Sequence, residues 1–190
     1  MLSEEKIDEL VKKISASKKY RPLYLKTIER AVLACASKYP EKQIEKQTRN
    51  LLHQIWGAYF PNRPNFEKLS EKLKKTLKIG GGRASAKLSS QRVKEAILPL
   101  LKLQSSVAER IPILEIFYQK IFAITGRPKT IIDWACGLNP LTWPWMDAAA
   151  SPENCRYLGF DIDKEQNDFL NNIFKAVNLK QFEIKLGDIL

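Results

Sequence analysis

Thr130-Ile-Ile-Asp-Trp-Ala-Cys-Gly-Leu-Asn-Pro140, with Leu158-Gly-Phe-Asp-Ile-Asp163 downstream of it, decides the fold of this chain. A short apolar run ends in a glycine turn, and a second apolar run ends in an acid. In a parallel α/β sheet that order serves a nucleotide-type ligand. The glycine lets backbone come close to the ligand, and the acid at the end of the next strand accepts hydrogen bonds from ribose hydroxyls.

Working outward, residues 130–135, 156–160 and 182–186 read as buried strands, and residues 141–149 and 164–177 as helices. This β-α-β-α-β alternation predicts parallel strands with right-handed crossovers. Upstream the period becomes helical. Ser3 caps a first helix with Ile7, Leu10, Val11 and Ile14 on one face, and Glu4 and Glu5 in its first turn. Pro22 suits the first turn of a second helix, striped by Leu25, Ile28, Val32 and Cys35. A third runs from Glu41 to Pro61 with Ile44, Leu51, Leu52, Ile55, Trp56 and Tyr59 inward, and Phe66, Leu69, Leu73 and Leu77 outline a fourth. Further helices are expected over 88–103 and from Ser106, where Ser106 and Glu109 make a capping box. Ile113, Ile116, Phe117, Ile121 and Phe122 form the stripe of the latter, which Pro112 should kink. The chain therefore divides into a basic helical domain (1–80), a Gly-rich linker (81–87) and an α/β part (88–190). The triple glycine of the linker lacks the Gly-Lys-Ser/Thr of a phosphate-binding loop.

The net charge of +11 is unevenly placed. Residues 1–90 carry 20 Lys and Arg against 9 Asp and Glu, whereas residues 91–190 carry 12 of each. Basic charge confined to one module points to a polyanion; the alternative is a lysine-rich solvated helical surface. No apolar run is long enough for a membrane span, and the N-terminus has no signal-peptide pattern. Cys35, Cys136 and Cys155 share no metal-ligand spacing, and without a secretion signal a cytoplasmic location with reduced thiols is the expectation. His53 is the sole histidine, which excludes a histidine-based triad or metal cluster.

At the motif itself, Gly137 meets only one of the three glycine positions of the dinucleotide fingerprint, with Asn139 and Thr142 at the others. A ligand-free strand-to-helix turn explains that pattern equally well. Asp161 ends its strand at the distance a ribose-binding acid requires. Its competing role, capping the helix from Lys164, suits Asp163 better. Asp188 closes the third strand and serves either an adenine amino group or a turn. Cys136 reads as packing rather than as a nucleophile.

Five segments resemble the 16S rRNA guanine-N7 methyltransferases that confer aminoglycoside resistance. They are Ala16-Ser-Lys-Lys-Tyr-Arg21, Leu52-His-Gln-Ile-Trp-Gly-Ala-Tyr59, Ser105-Ser-Val-Ala-Glu-Arg110, Asp133-Trp-Ala-Cys-Gly-Leu-Asn-Pro140 and Leu186-Gly-Asp-Ile-Leu190. The resemblance implies a helical N-terminal domain that docks on the 30S subunit, followed by a Rossmann-like domain that binds S-adenosylmethionine (SAM). It implies that Arg110 pairs with the methionine carboxylate and that Ala135 and Gly137 line the methionine moiety. Asp161 would hold the ribose, Asp188 and Ile189 the adenine, and Lys18, Lys19 and Arg21 would face rRNA phosphates. No residue is implied as a catalytic acid or base, because guanine N7 carries a lone pair and no proton. For Arg110 the residues alone offer another role, as partner of Glu109 or Glu115.

Members of that family continue for several strands past the segment matching Leu190. The resemblance thus implies the first half of the sheet, with the strand at 130–135 left as an exposed edge, weak SAM binding and little methylation by the chain alone. Two other classes remain: a SAM enzyme with another substrate, and a non-catalytic RNA-binding module.

Overall fold

Three parallel strands, β1 (Thr130–Trp134), β2 (Arg156–Asp161) and β3 (Phe182–Leu186), form one sheet in the order β1-β2-β3. The structure is a computed structural model that describes residues 2–57, 60, 62–77, 90–146 and 155–189. Thr130 pairs with Arg156 and Trp134 with Phe160, while Tyr157 pairs with Phe182 and Asp161 with Leu186. All three strands therefore end together, at the turn after Trp134, at Asp161 and at Leu186. A short α8 (Trp143–Met146) lies between β1 and β2, and α9 (Lys164–Ala176) follows β2 and buries Phe169, Leu170, Ile173 and Phe174. Its N-cap is Asp163, whose side chain accepts from the Gln166 amide, as the sequence indicated.

The helices before the sheet fall into two packing groups. α1 (Glu4–Ser15), α2 (Leu25–Ala36) and α3 (Glu41–Leu52) share a core built on Ile14, Ile28, Val32, Ile44 and Leu52. α4 (Phe66–Leu77) and α5 (Ser90–Leu101) instead join the core of the sheet. Phe66 lies 5.4 Å from the ring of Phe169 on α9. The two groups are tied directly: Leu23 and Asp163 form an antiparallel bridge, the Tyr24 amide donates to the Ile162 carbonyl at 2.8 Å, and the Lys164 amide to the Pro22 carbonyl at 2.8 Å.

That tie explains the first departure from the sequence reading. Pro22 sits in the turn that meets α9, and α2 starts only at Leu25, which is 54% exposed; Thr27 and Ala31 share the buried face with Ile28, Val32 and Cys35. α3 ends at Leu52 and gives way to a π-helical turn, His53–Gly57, that turns Trp56 inward. Ser106 does not cap a helix, because α6 (Ser105–Ala108) begins before it, with Gln104 at the N-cap. Pro112 interrupts the chain more completely than a kink. It lies in a 3₁₀ turn, Ile111–Ile113, and a separate α7 (Leu114–Thr125) follows. Leu114, Tyr118 and Phe122 are the buried residues of α7, whereas Ile113, Ile116 and Ile121 face solvent. The Gly-rich segment 81–87, Tyr59 and residues 147–149 lie outside the described residues.

Among the described strands β1 lies at an edge, as expected for three strands, and it is not the buried strand that its apolar run suggested. Ile132 is 58% and Trp134 52% exposed, although the Trp134 ring stacks on Phe160 at 4.2 Å. No described helix is long and apolar enough to cross a membrane.

Candidate functional site

The three strand ends open onto a cavity of about 420 Å³. β1 contributes the turn that follows it. Ala135 adopts φ 53° and Gly137 φ 52°, both in the left-handed region. The conformation costs Ala135 roughly 1–2 kcal/mol. At Gly137 a side chain is also blocked sterically, since a Cβ there would lie 2.4 Å from the Gln104 amide. Gln104 fixes this turn by accepting from the Leu138 amide at 2.6 Å.

β2 contributes Asp161. Its Oδ2 accepts from the Gly137 amide at 2.8 Å, and its Oδ1 from the Asp163 amide at 3.2 Å. Burial raises the carboxyl above its ordinary value of 3.8, against the pull of those two backbone donors. An ionised Asp161 thus gains from any further donor brought into the cavity. Past β3, the Asp188 side chain is almost fully covered; its Oδ2 accepts from Thr27 Oγ1 at 2.6 Å and lies 3.7 Å from the Arg30 guanidinium.

Ala135, Asp161, Asp188 and Ile189 are thus brought together on the cavity wall. Gly137 and Arg110 are not among the described residues that line it. Gly137 stands one step behind, its N–H aimed at Asp161. Arg110 Nε donates to the carbonyl of Ser106, itself a lining residue, at 3.0 Å. It pairs with neither Glu109 nor Glu115; Glu115 instead accepts from Lys94 and from Trp145 Nε1. Cys136 is buried, and burial pushes its thiol far above the ordinary range, so it packs rather than reacts.

The sequence reading missed the opposite wall. Thr27 from α2, Gln54, Ile55 and Trp56 from the π-helical turn, and Phe60 complete the cavity. Behind them, Asp163 is 1% exposed and accepts from Trp56 Nε1 at 3.0 Å and from both Arg63 terminal nitrogens at 2.6 and 3.0 Å. Arg63 lies 4.7 Å from the Trp56 ring centre and also reaches Glu165. The only signal in the sequence was the Asp-x-Asp spacing of 161 and 163, which says nothing of partners 100 residues upstream. Lys18, Lys19 and Arg21 lie exposed on the loop between α1 and α2, with Lys18 and Arg21 beside the same Arg63.

The profile of the ribosomal RNA methyltransferase (FmrO) family matches residues 16–189, across both packing groups and all three strand ends. The chain belongs to this family. The FmrO-family chain is 34% identical over 186 residues to a 16S rRNA (guanine(1405)-N(7))-methyltransferase of Proteus mirabilis, covering 97% of this chain and 65% of that protein. A protein of the same description from Frankia casuarinae is 32% identical, with 95% and 60% covered. Among solved structures, the 16S rRNA methylase RmtB superposes with a TM-score of 0.72 at 27% identity, over 96% of this chain and 65% of that one. The methyltransferase RmtF, 21% identical, shares the fold with a TM-score of 0.70. This FmrO-family chain thus spans 60–65% of the length of the curated relatives named here.

Proposed function

We propose that this chain carries the SAM site and an rRNA-docking surface of a 16S rRNA guanine-N7 methyltransferase, a modification of the decoding site that gives aminoglycoside resistance. The observation that carries the reading is Asp161. A buried carboxylate at the end of β2, held by the Gly137 amide and opening onto a cavity of about 420 Å³, fits a ribose better than it fits a turn. The turn beside it is already capped by Asp163.

SAM fits the groups present. Its ribose hydroxyls suit Asp161, its adenine amino group suits Asp188 with Ile189 against the ring, and Ala135 brings backbone near the methionine moiety, with Gly137 holding Asp161 from behind. Arg110, bonded to the lining residue Ser106, is the cation for the methionine carboxylate. When bound, SAM supplies a methyl group on a positively charged sulfur. Guanine N7 attacks with its own lone pair, so this chain needs no general base. Its residues work by holding the nucleoside in one orientation, which is an alignment contribution.

Lys18, Lys19 and Arg21 supply exposed cations for rRNA phosphates. In this reading residues 1–80 dock on the 30S subunit and lend Thr27, Trp56 and Phe60 to the cofactor cavity, 81–87 connect, and 88–190 supply the strand ends that hold the cofactor. The test combines equilibrium binding of SAM with transfer of a labelled methyl group to purified 30S subunits and mapping of the modified base. SAM binding together with label on a 16S rRNA guanine N7 supports the proposal. Salt-sensitive 30S binding without any SAM affinity turns the chain into an RNA-binding module, and label elsewhere turns it into an enzyme of another substrate.

A further inference from the structure

Gln166 lies in the first turn of α9 and is 1% exposed. It lines the cavity at the strand ends, and its side-chain Nε2 has no hydrogen-bond partner among the described residues. A buried amide donor left unpaired is costly, and native interiors pair nearly all such groups. Nothing about α9 demands a glutamine here. The helix N-cap uses the Gln166 backbone amide, which donates to Asp163 Oδ1 at 3.1 Å, and not the side chain. An apolar residue of the same length would fill the space without the unpaired donor.

The acidic side chains of the wall set the context for that donor. Asp161, Asp163 and Asp188 are acceptors, and Asp163 is already occupied by Trp56 and Arg63. A nucleoside offers both kinds of group. Its hydroxyls and amino group donate to carboxylates, and its hydroxyl oxygens and ring nitrogens need a donor in return.

We propose that Gln166 is a ligand-binding residue of this cavity, its Nε2 donating to an acceptor atom of the nucleoside half of the cofactor. The proposal rests on the SAM reading above and adds to it a residue outside the Gly137, Asp161 and Asp188 set. It makes an unusual pair of predictions. Removing the side-chain amide should stabilise the ligand-free chain and weaken its complex, whereas a merely structural glutamine would lose stability when replaced.

The experiment compares the 190-residue chain with Gln166→Met, which keeps length and removes the donor. S-adenosylhomocysteine and adenosine serve as probes by titration calorimetry, and thermal unfolding is followed without ligand. The expected result is a loss of affinity of about tenfold for both probes, together with a melting temperature higher by roughly 2 °C. Equal affinity of the variant and the parent overturns the proposal. If the parent chain binds neither probe, the SAM reading is what fails, and the melting temperatures then decide the role of Gln166: a value unchanged or lower in Gln166→Met shows a structural glutamine.

Discussion

Asp161 is a carboxylate whose burial works against its ionisation, while two backbone amides and any bound ribose favour it. Its folded pKa is raised above 3.8, so the native state holds the proton more tightly than the unfolded chain. Its contribution to stability is fully present below 3.8 and is lost as pH rises through the raised value. Cofactor affinity runs the other way. It needs the ionised form, so it should fall on acidification, beginning at a pH higher than an ordinary aspartate would give. Asp161→Asn should weaken SAM binding on the order of ten- to a hundredfold at neutral pH and flatten that acid dependence. Titrations at several pH values with both proteins check this. The place of Asp161 at a strand end was legible from the apolar run it closes, and the capping role of Asp163 because a helix start asks for a cap. Gln166 and Thr27 were not: each draws its meaning from a cavity wall assembled from distant segments.

Elements were legible where their apolar pattern was one-sided. The strands at 130, 156 and 182 are short apolar runs bounded by turn residues, and α9 alternates cleanly. α7 reads Leu-Glu-Ile-Phe-Tyr-Gln-Lys-Ile-Phe-Ala-Ile-Thr, apolar nearly all round, so spacing alone cannot choose its buried face. Packing chooses Leu114, Tyr118 and Phe122 and leaves Ile124 88% exposed. On β1, Ile132 and Trp134 also stand in solvent, on a strand whose outer side pairs with no described strand. Trp134→Lys or Ile132→Lys should therefore lower concentration-dependent self-association of the 190-residue chain, as sedimentation over a dilution series would show; an unchanged distribution would contradict this. A second element-level prediction concerns the tie between the helical group and α9. Arg63→Met leaves the buried Asp163 carboxylate without its charged partner and should cost about 2–3 kcal/mol in urea unfolding. Adding Asp163→Asn should recover part of that loss, because the uncompensated charge is then gone.

At the scale of the whole molecule, the charge-rich first half of the chain and the strand ends share the wall of one cavity. The excess positive charge belongs to residues 1–90, and part of it is neutralised within the fold. Lys6 pairs with Glu41, Lys13 with Glu45, and Arg63 with Asp163 and Glu165. Lys18 and Lys19 remain exposed at the α1–α2 loop. Binding to 30S subunits should weaken steeply with salt, with a log–log slope of roughly 0.7–0.9 per phosphate contacted. Charge reversal at Lys18 and Lys19 should reduce that slope, which filter binding over a salt series measures. The two-part charge layout was readable from composition. The shared wall was not, because Thr27 reaches Asp188 and Trp56 reaches Asp163 across more than 100 residues of sequence. Those contacts are also why the helical group cannot be treated as a detachable docking module. It forms one side of the cavity that the strand ends open onto.

The most direct test of the central claim is equilibrium dialysis of tritium-labelled SAM against the purified 190-residue chain, run in parallel with Asp161→Asn. Saturable binding by the chain, weakened at least tenfold in the variant, is the predicted result. No saturable binding, or binding that Asp161→Asn leaves unchanged, would contradict the assignment of this cavity to the cofactor.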